Sequence, residues 1–155
     1  DDEVLNDFDS NQKVFPPYRT QKDVKALLKG VVDGTVDAIV SDHRPENIEN
    51  KKLEFDKAEF GISSIETTFS LLCNNTNLTE ELIIEKLTTR LSLFLILPDI
   101  EIEENAKANL TIVDFDKTWI VNLVSKSKNN SLIGKELKGK VLGLINGNKN
   151  WMNEN

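Results

Sequence analysis

An amphipathic helix followed directly by a short apolar run does most to restrict the fold of this 155-residue chain. Between Thr20 and Gly34 the apolar residues recur at spacings of three and four, which predicts a helix capped by the threonine and ended by the glycine. The next run, TVDAIVS, is apolar at 36 and 38–40, which predicts a strand buried on both faces. A short extended segment at 11–20 precedes the helix. Strand, helix and strand in this order predict a βαβ crossover within a parallel sheet.

Further along the chain, the periodicity changes from helical to strand-like. Residues 64–73 and a run that begins at Thr79 predict two more helices, whereas 108–121 and 138–149 alternate as strands do. The second strand run contains GLINGNK, which predicts a hairpin turn.

The change of character at Pro98 divides the predicted architecture. We predict an α/β part at 1–97 and a β-rich part at 98–155. The α/β part offers two clear strands, too few to close a parallel sheet or cover its faces, so we expect the chain to be the last portion of something larger. The polar stretch at 42–64 is predicted to be a long loop, and loops of that length in compact domains are often functional.

The charge balance bears on which kinds of partner this chain binds. The formal net charge is -7 and the sequence pI is near 4.8, which argues against nucleic acid or an anionic membrane surface as the main partner. No apolar run approaches the 18 or so residues of a membrane span. The single cysteine, Cys73, lies in an apolar run typical of a buried structural thiol and weakly favours a reducing compartment. We therefore expect a cytoplasmic protein.

Asp42 occupies the end of the predicted strand, where parallel α/β folds collect functional side chains. A carboxylate there can bind a metal ion or transfer a proton, although an aspartate in a turn often caps backbone N–H groups instead. His43 follows directly and points to the opposite face in an extended chain, so we expect it to orient the loop or contact backbone. The sequence has no HxH, HExxH, Cys pair, GxSxG or phosphate-binding loop. By itself it does not contain a complete active site.

Several motifs, in order and correctly spaced, resemble the dihydroorotases of the amidohydrolase superfamily. NQKVFPPYRT is similar to the family's N-x-K-V-N-P-P-L-R-T, DGTVDAIVSDHRPE to D-G-T-I-D-x-I-A-T-D-H-A-P-H, and FGISSIET to F-G-I-x-G-x-E-T. Near the end, ANLTIVDFD and SLIGKELKGKV resemble the family's C-terminal segment. The resemblance spans nearly the whole chain.

The resemblance implies a fold and an activity. Family members are metal-dependent (β/α)8 barrels of the TIM type with a small β-sandwich, and they interconvert N-carbamoyl-L-aspartate and L-dihydroorotate in pyrimidine biosynthesis. This chain would supply the last barrel strands and helices at 1–97 and sandwich strands at 98–155. The other metal ligands would lie upstream. We therefore expect Zn²⁺ in a full-length family member, and neither tightly held zinc nor turnover from this chain alone.

The same resemblance assigns roles to individual residues. Asp42 matches the aspartate that binds the metal and acts as general base, and Gly61 matches a turn whose backbone approaches the pyrimidine ring. Two substrate-carboxylate contacts differ, because Phe15 replaces an asparagine and Glu46 replaces a histidine. Arg44, which replaces an alanine, could neutralise Glu46 or replace the lost cation.

Three readings follow from these departures. The first is a dihydroorotase or dihydroorotase-like hydrolase that acts on dihydroorotate or carbamoyl aspartate. The second is a non-catalytic homologue that serves as a scaffold, for example for aspartate transcarbamoylase. The third is an amidohydrolase whose substrate lacks the carboxylate. A homodimer is compatible with each of them.

Overall fold

The computed structural model describes residues 1–75, 77–97 and 102–153. The chain divides into two compact units. Unit 1 consists of Asp1–Thr68 and Ile120–Lys135, and unit 2 consists of Phe69–Trp119 and Glu136–Asn155.

Helix α1, Gln21–Asp33, is the main regular element of unit 1. Its start is capped by Thr20, whose Oγ1 accepts a hydrogen bond from the Asp23 amide at 3.4 Å. Its end is Gly34, in the left-handed region at φ +84°. The predicted helix and both of its caps are thereby confirmed. Shorter pieces complete the unit: 3-10 helices at Asp2–Leu5 and Ser10–Gln12, and helix α2 at Ile48–Lys51.

The predicted strand after α1 is wrong. Residues 37–47 have no regular secondary structure, and the Val40 side chain, expected to be buried, is 68% exposed. A buried parallel strand needs hydrogen-bonded neighbours on both sides, and the described part of the chain places none beside this segment. The βαβ crossover therefore does not form among the described residues.

Unit 1 buries more polar than apolar side chains. Its buried apolar residues are Val31, Ala58, Val121 and Leu123. Its buried polar residues are Lys51, Ser63, Ser64, Thr67, Asn129 and Asn130. Buried polar groups are stable where they are hydrogen-bonded, so this interior depends on a specific bonding network.

Three helices precede the sheet of unit 2. Helix α3 spans Thr68–Asn75, later and shorter than predicted, and α4 spans Glu80–Leu87. Thr79 caps α4 as predicted, with its Oγ1 accepting from the Leu82 amide at 3.3 Å. One continuous helix is predicted to begin at Thr79. In the structure it is interrupted at Thr88 (φ -130°, ψ -85°), and a separate helix, α5, spans Thr89–Phe94. Pro98, the predicted boundary, lies outside the described residues.

A three-stranded sheet completes unit 2, in the order β1 (Asn109–Ile120), β2 (Glu136–Asn146) and β3 (Lys149–Met152). Strands β2 and β3 are antiparallel, with Gly143 opposite Met152 and Asn146 opposite Lys149. A two-residue turn joins them, and its Gly147 has φ +58°, as two-residue hairpins require. Both predicted strands and the hairpin turn are confirmed. The chain is thus α/β with a small antiparallel sheet.

Candidate functional site

The predicted catalytic aspartate lies in the irregular segment that follows α1 in unit 1. Asp42 has φ +43°, a left-handed conformation that aspartate tolerates better than most residues. Its side chain is 47% exposed, and its Oδ1 accepts a hydrogen bond from Arg44 Nε at 3.0 Å. The carboxylate is therefore accessible to solvent and already paired with one cation.

His43 serves the backbone of the same unit. Its Nδ1 accepts a hydrogen bond from the Ile65 amide at 3.2 Å. An accepting Nδ1 carries no proton, so in this arrangement the neutral ring holds its proton on Nε2. The expected backbone role of His43 is confirmed.

Gly61 lies directly against the segment that carries Arg44 and Glu46. The Arg44 amide donates to Ile62 O at 3.0 Å, and the Gly61 amide donates to Lys13 O at 3.0 Å. A Cβ at Gly61 would lie 2.6 Å from Arg44 O and 3.2 Å from Glu46 Cγ, and φ is +149°. This close approach of two backbones requires glycine.

Glu46 is fixed by hydrogen bonds to neighbours other than Arg44. Its Oε2 accepts from Asn50 Nδ2 at 3.0 Å, and its amide donates to Asn129 Oδ1 at 3.3 Å. The resemblance leaves two roles open for Arg44, to neutralise Glu46 or to replace the lost cation. In the structure its guanidinium pairs with Asp42 instead.

Phe15 forms an aromatic pair beside Gly61. Its ring meets that of Phe60 edge to face, with centroids 5.9 Å apart, and Phe15 is 58% exposed. Lys13 Nζ lies 4.8 Å from the Phe60 ring centroid, within the range of a cation–π contact. Together these contacts bring Phe15 to the same side of unit 1 as Gly61.

A buried lysine supports this region, and the sequence analysis did not identify it. Lys51 is 2% exposed, and its Nζ donates to Glu59 O at 2.9 Å, Gly61 O at 3.1 Å and Lys13 O at 3.3 Å. Burial lowers the pKa of Lys51 below its ordinary value, although the negative charge of Glu46 opposes the shift. In the sequence it stands in NKKLE, a pattern typical of a solvated turn.

A groove of about 590 Å³ in unit 1 adjoins residues 42–47, an irregular segment that we call the turn. Its walls are two segments that carry side chains of both charges, and they share Glu46 and Asn129 with the contacts above. The lining residues are Pro45, Glu46, Asn47, Ile48, Glu49, Lys126, Ser127, Lys128 and Asn129.

The described residues do not fit a metal ion by themselves. Within 1–75, 77–97 and 102–153, no group of three or more His, Cys, Asp or Glu side chains is placed to hold one. Zinc in proteins takes three or four protein ligands, and near this turn Asp42 is one acidic donor while His43 Nδ1 is already engaged. A metal at Asp42 would need ligands from outside these residues.

None of the described helices combines the length and apolar character needed to cross a bilayer.

Sequence comparison finds dihydroorotases among the relatives of this chain. The dihydroorotase of Caldicellulosiruptor saccharolyticus is 41% identical over 154 residues, which cover 94% of this chain and 35% of that protein. The dihydroorotase of Syntrophus aciditrophicus is 37% identical over 147 residues, covering 91% and 34% respectively. The chain thus spans about a third of the length of the dihydroorotases that it matches. No protein-family model matches the sequence.

Solved structures with the same fold include hydantoinases. The L-hydantoinase (dihydropyrimidinase) of Arthrobacter aurescens superposes with a TM-score of 0.79 at 22% identity, covering 96% of this chain and 36% of that one. The D-hydantoinase of a Thermus species gives a TM-score of 0.71 at 19% identity, with coverages of 94% and 36%. At these identities the likeness establishes the fold alone. The sequence relatives show that the chain belongs to the dihydroorotase family of amidohydrolases and corresponds to the C-terminal portion of its members.

Proposed function

We propose that this chain is the C-terminal portion of a dihydroorotase-like cyclic amidohydrolase, with Asp42 as its proton-transferring carboxylate. One observation carries the proposal: unit 1 gathers the predicted site residues around a single turn. Arg44 pairs with Asp42, while Gly61 lies against the backbone of Arg44 and the side chain of Glu46. Phe15 reaches the same turn through Phe60, the neighbour of Gly61.

The chemistry that this turn would serve is hydrolysis of a cyclic amide. A water oxygen bonds to the ring carbonyl carbon, the ring C–N bond breaks, and a proton from the water ends on the departing nitrogen. Asp42 is suited to take that proton and return it, because its carboxylate is 47% exposed and can be reached by a water molecule. The reverse sequence closes the ring of a carbamoyl amino acid.

The finer architecture is part of the same proposal. Residues 1–97 would complete a (β/α)8 barrel and residues 98–155 a β-sandwich, as the resemblance to dihydroorotases implies. The exposed Val40 and the irregular backbone around it fit a segment that acquires strand neighbours from the rest of a barrel. Zinc belongs to this proposal as a group that the remaining portion of a family member would hold.

Phe15 and Glu46 set the expected substrate preference. Glu46 lies beside Gly61 and takes its hydrogen bond from Asn50, so its negative charge is not cancelled by Arg44. A substrate carboxylate a few ångströms away would be disfavoured by about 1–4 kcal/mol at moderate effective dielectric. We therefore expect turnover of dihydroorotate well below that of the Caldicellulosiruptor saccharolyticus enzyme.

A non-catalytic scaffold is the second candidate, and the Arg44–Asp42 pair favours it. An arginine bonded to the carboxylate at 3.0 Å competes for the oxygen that a reacting water or metal would use. In this case the fold would be retained for partner binding, with aspartate transcarbamoylase as the partner class that the resemblance suggests.

The test is a dihydroorotate hydrolysis assay on the protein in its full natural length, loaded with zinc. We expect Asp42→Asn to lower kcat by about 10²- to 10⁴-fold, as loss of a general base does. Asp37→Asn, an exposed aspartate in the preceding stretch, is the matched control and should leave kcat unchanged.

One double variant separates the two candidate functions. Phe15→Asn with Glu46→His should raise dihydroorotate turnover if carboxylate repulsion limits it. Robust wild-type turnover would refute the roles given to Phe15 and Glu46, whereas no turnover from either protein would support the scaffold. The 155-residue chain alone should neither hydrolyse dihydroorotate nor hold stoichiometric zinc, and tightly bound zinc would contradict the incomplete site.

A further inference from the structure

A buried asparagine far along the chain holds the turn that carries Arg44 and Glu46. Asn129 is 3% exposed. Its Oδ1 accepts from Ser63 Oγ at 2.6 Å and from the Glu46 amide at 3.3 Å, and its Nδ2 donates to Arg44 O at 3.4 Å. One side-chain amide therefore bonds both ends of the three-residue stretch that contains two predicted substrate contacts.

Ser127 reinforces the same attachment. Its hydroxyl lies within hydrogen-bond distance of Asn129 Oδ1 and is 2.7 Å from Glu46 O. The segment around it is anchored in turn by Glu66, whose carboxylate accepts from the Val124 and Ser125 amides at 2.7 and 2.8 Å. The turn is thus held by a segment that is itself fixed.

We infer that Asn129 is the positioning residue for the substrate-recognition turn at 44–46, an inference that rests on the proposed function of that turn. A side-chain amide is required because one side chain must accept a hydrogen bond from Glu46 N and donate another to Arg44 O. Alanine supplies neither bond, and it leaves the Glu46 amide and the Arg44 carbonyl without this partner. Asn129 acts through Arg44 and Glu46, and it does not itself contact the reacting atoms.

The next residue in the chain provides a matched control. Asn130 is also 3% exposed, and its side chain bonds Ser63 O at 2.8 Å, Thr67 Oγ1 at 3.2 Å and the Leu132 amide at 2.8 Å. These partners lie outside the 44–46 stretch. Asn129→Ala and Asn130→Ala therefore remove comparable buried bonds, but only the first removes bonds to the turn.

Hydrogen exchange on the full-length protein tests the structural part of the inference. In Asn129→Ala we expect the Glu46 amide to exchange about tenfold faster or more, because its acceptor is gone. In Asn130→Ala that rate should stay within about twofold of wild type at a similar loss of Tm. Equal effects of the two variants, or unchanged exchange in Asn129→Ala, would overturn the inference.

Kinetics tests the functional part. Asn129→Ala should lower KM for dihydroorotate about tenfold with kcat within about twofold, because a loosened turn lets the Glu46 carboxylate move away from that of the substrate. Asn130→Ala should leave both unchanged. If Asn129→Ala does not fold, Ser127→Ala takes its place. It should change KM for dihydroorotate and the exchange rate of the Glu46 amide in the same directions, each about threefold. If neither quantity changes, the inference is overturned. A wild-type protein without turnover counts against the proposed function alone, because the exchange rates still decide whether Asn129 holds the turn.

Discussion

The β2–β3 hairpin of unit 2 and the irregular 42–47 turn of unit 1 are both short segments, but they are held in different ways. In the hairpin, the paired backbones lie three to nine residues apart in sequence, from Asn146–Lys149 to Gly143–Met152. The turn is held by Asn129, which is 83 residues from Glu46 and 85 from Arg44. Local residues therefore determine the hairpin, whereas the candidate site depends on distant polar side chains.

Gly61→Ala should have the largest effect in unit 1. The new Cβ would lie 2.6 Å from Arg44 O, a backbone atom that cannot rotate away, and φ +149° disfavours any side chain. We expect a loss of about 3 kcal/mol or more in the free energy of unfolding, measured by urea denaturation.

Gly34→Ala is the control for that variant. Gly34 also has a positive φ, +84°, but nothing lies within 4 Å of its Cβ position. We expect a loss of about 1–2 kcal/mol, the conformational cost alone. Equal losses for the two glycines would show that the turn can move away from residue 61, and that the site is less tightly fixed than the contacts indicate.

Lys51→Met should rank second. The substitution keeps the length of the side chain but leaves Glu59 O and Gly61 O without their buried cationic donor. We expect a loss of about 2–4 kcal/mol in the free energy of unfolding. Lys52→Met, at the exposed neighbouring position, should change it by less than about 0.5 kcal/mol. If Lys51→Met left the free energy of unfolding unchanged, the cost of desolvating the ammonium would cancel the stabilisation from its hydrogen bonds.

The same contrast explains how far the sequence predicts the structure. Thr20, Gly34 and Thr79 act within one helical turn of their partners, so their capping roles were predictable, as was the turn at Gly147. The strand at 36–40 was predicted wrongly because its stability depends on neighbouring strands, which no local pattern reports.

The candidate site divides along the same line. Asp42 is singled out by its place directly after an apolar run and by motif resemblance, and Gly61 by motif resemblance alone. Asn129 and Lys51 were missed, because a buried asparagine or lysine has the same local signature as a solvated one. The interruption at Thr88 was missed for a related reason, since the apolar periodicity continues on both sides of it. Motifs therefore point to the groups that would carry the chemistry, but not to the side chains that fix their positions.

Trp119→Phe extends the comparison to unit 2 and should rank third. The indole Nε1 donates to Gly139 O at 3.0 Å and lies 3.1 Å from Ser70 Oγ. Since Ser70 Oγ also donates to Gly139 O, at 2.5 Å, the carbonyl keeps one partner, and we expect a loss of about 1 kcal/mol. Trp151→Phe, on the exposed β3 strand, should cost less than about 0.5 kcal/mol by the same thermal or urea measurement. A loss as large as that of Lys51→Met would show that unit 2 also depends on long-range polar contacts.

Glu66→Gln should give the smallest effect, visible as a change in pH dependence. Burial by itself raises the pKa of the Glu66 carboxyl. Hydrogen bonds outweigh this effect and lower the pKa below its ordinary value; they come from Ser125 Oγ and from the amides of Val124 and Ser125. The positive charge of Lys128 acts in the same direction. The unfolded chain then binds more protons than the folded one in the acidic range, so this contribution to stability is complete above the ordinary carboxyl pKa and is lost as pH falls through the folded value.

Wild-type unfolding free energy should therefore decrease as pH falls below the ordinary carboxyl pKa, and Glu66→Gln should flatten part of that decrease. Glu49→Gln, which removes one exposed carboxylate from α2, should leave the slope as it is in wild type. Since Glu66 anchors the segment that carries Asn129, the protection of the Glu46 amide, measured relative to its intrinsic exchange rate at each pH, should fall over the same acidic range. An unchanged slope in Glu66→Gln, together with steady protection of the Glu46 amide, would mean that the anchor holds whether or not it is ionised, and that the turn is less dependent on this segment than its hydrogen bonds indicate.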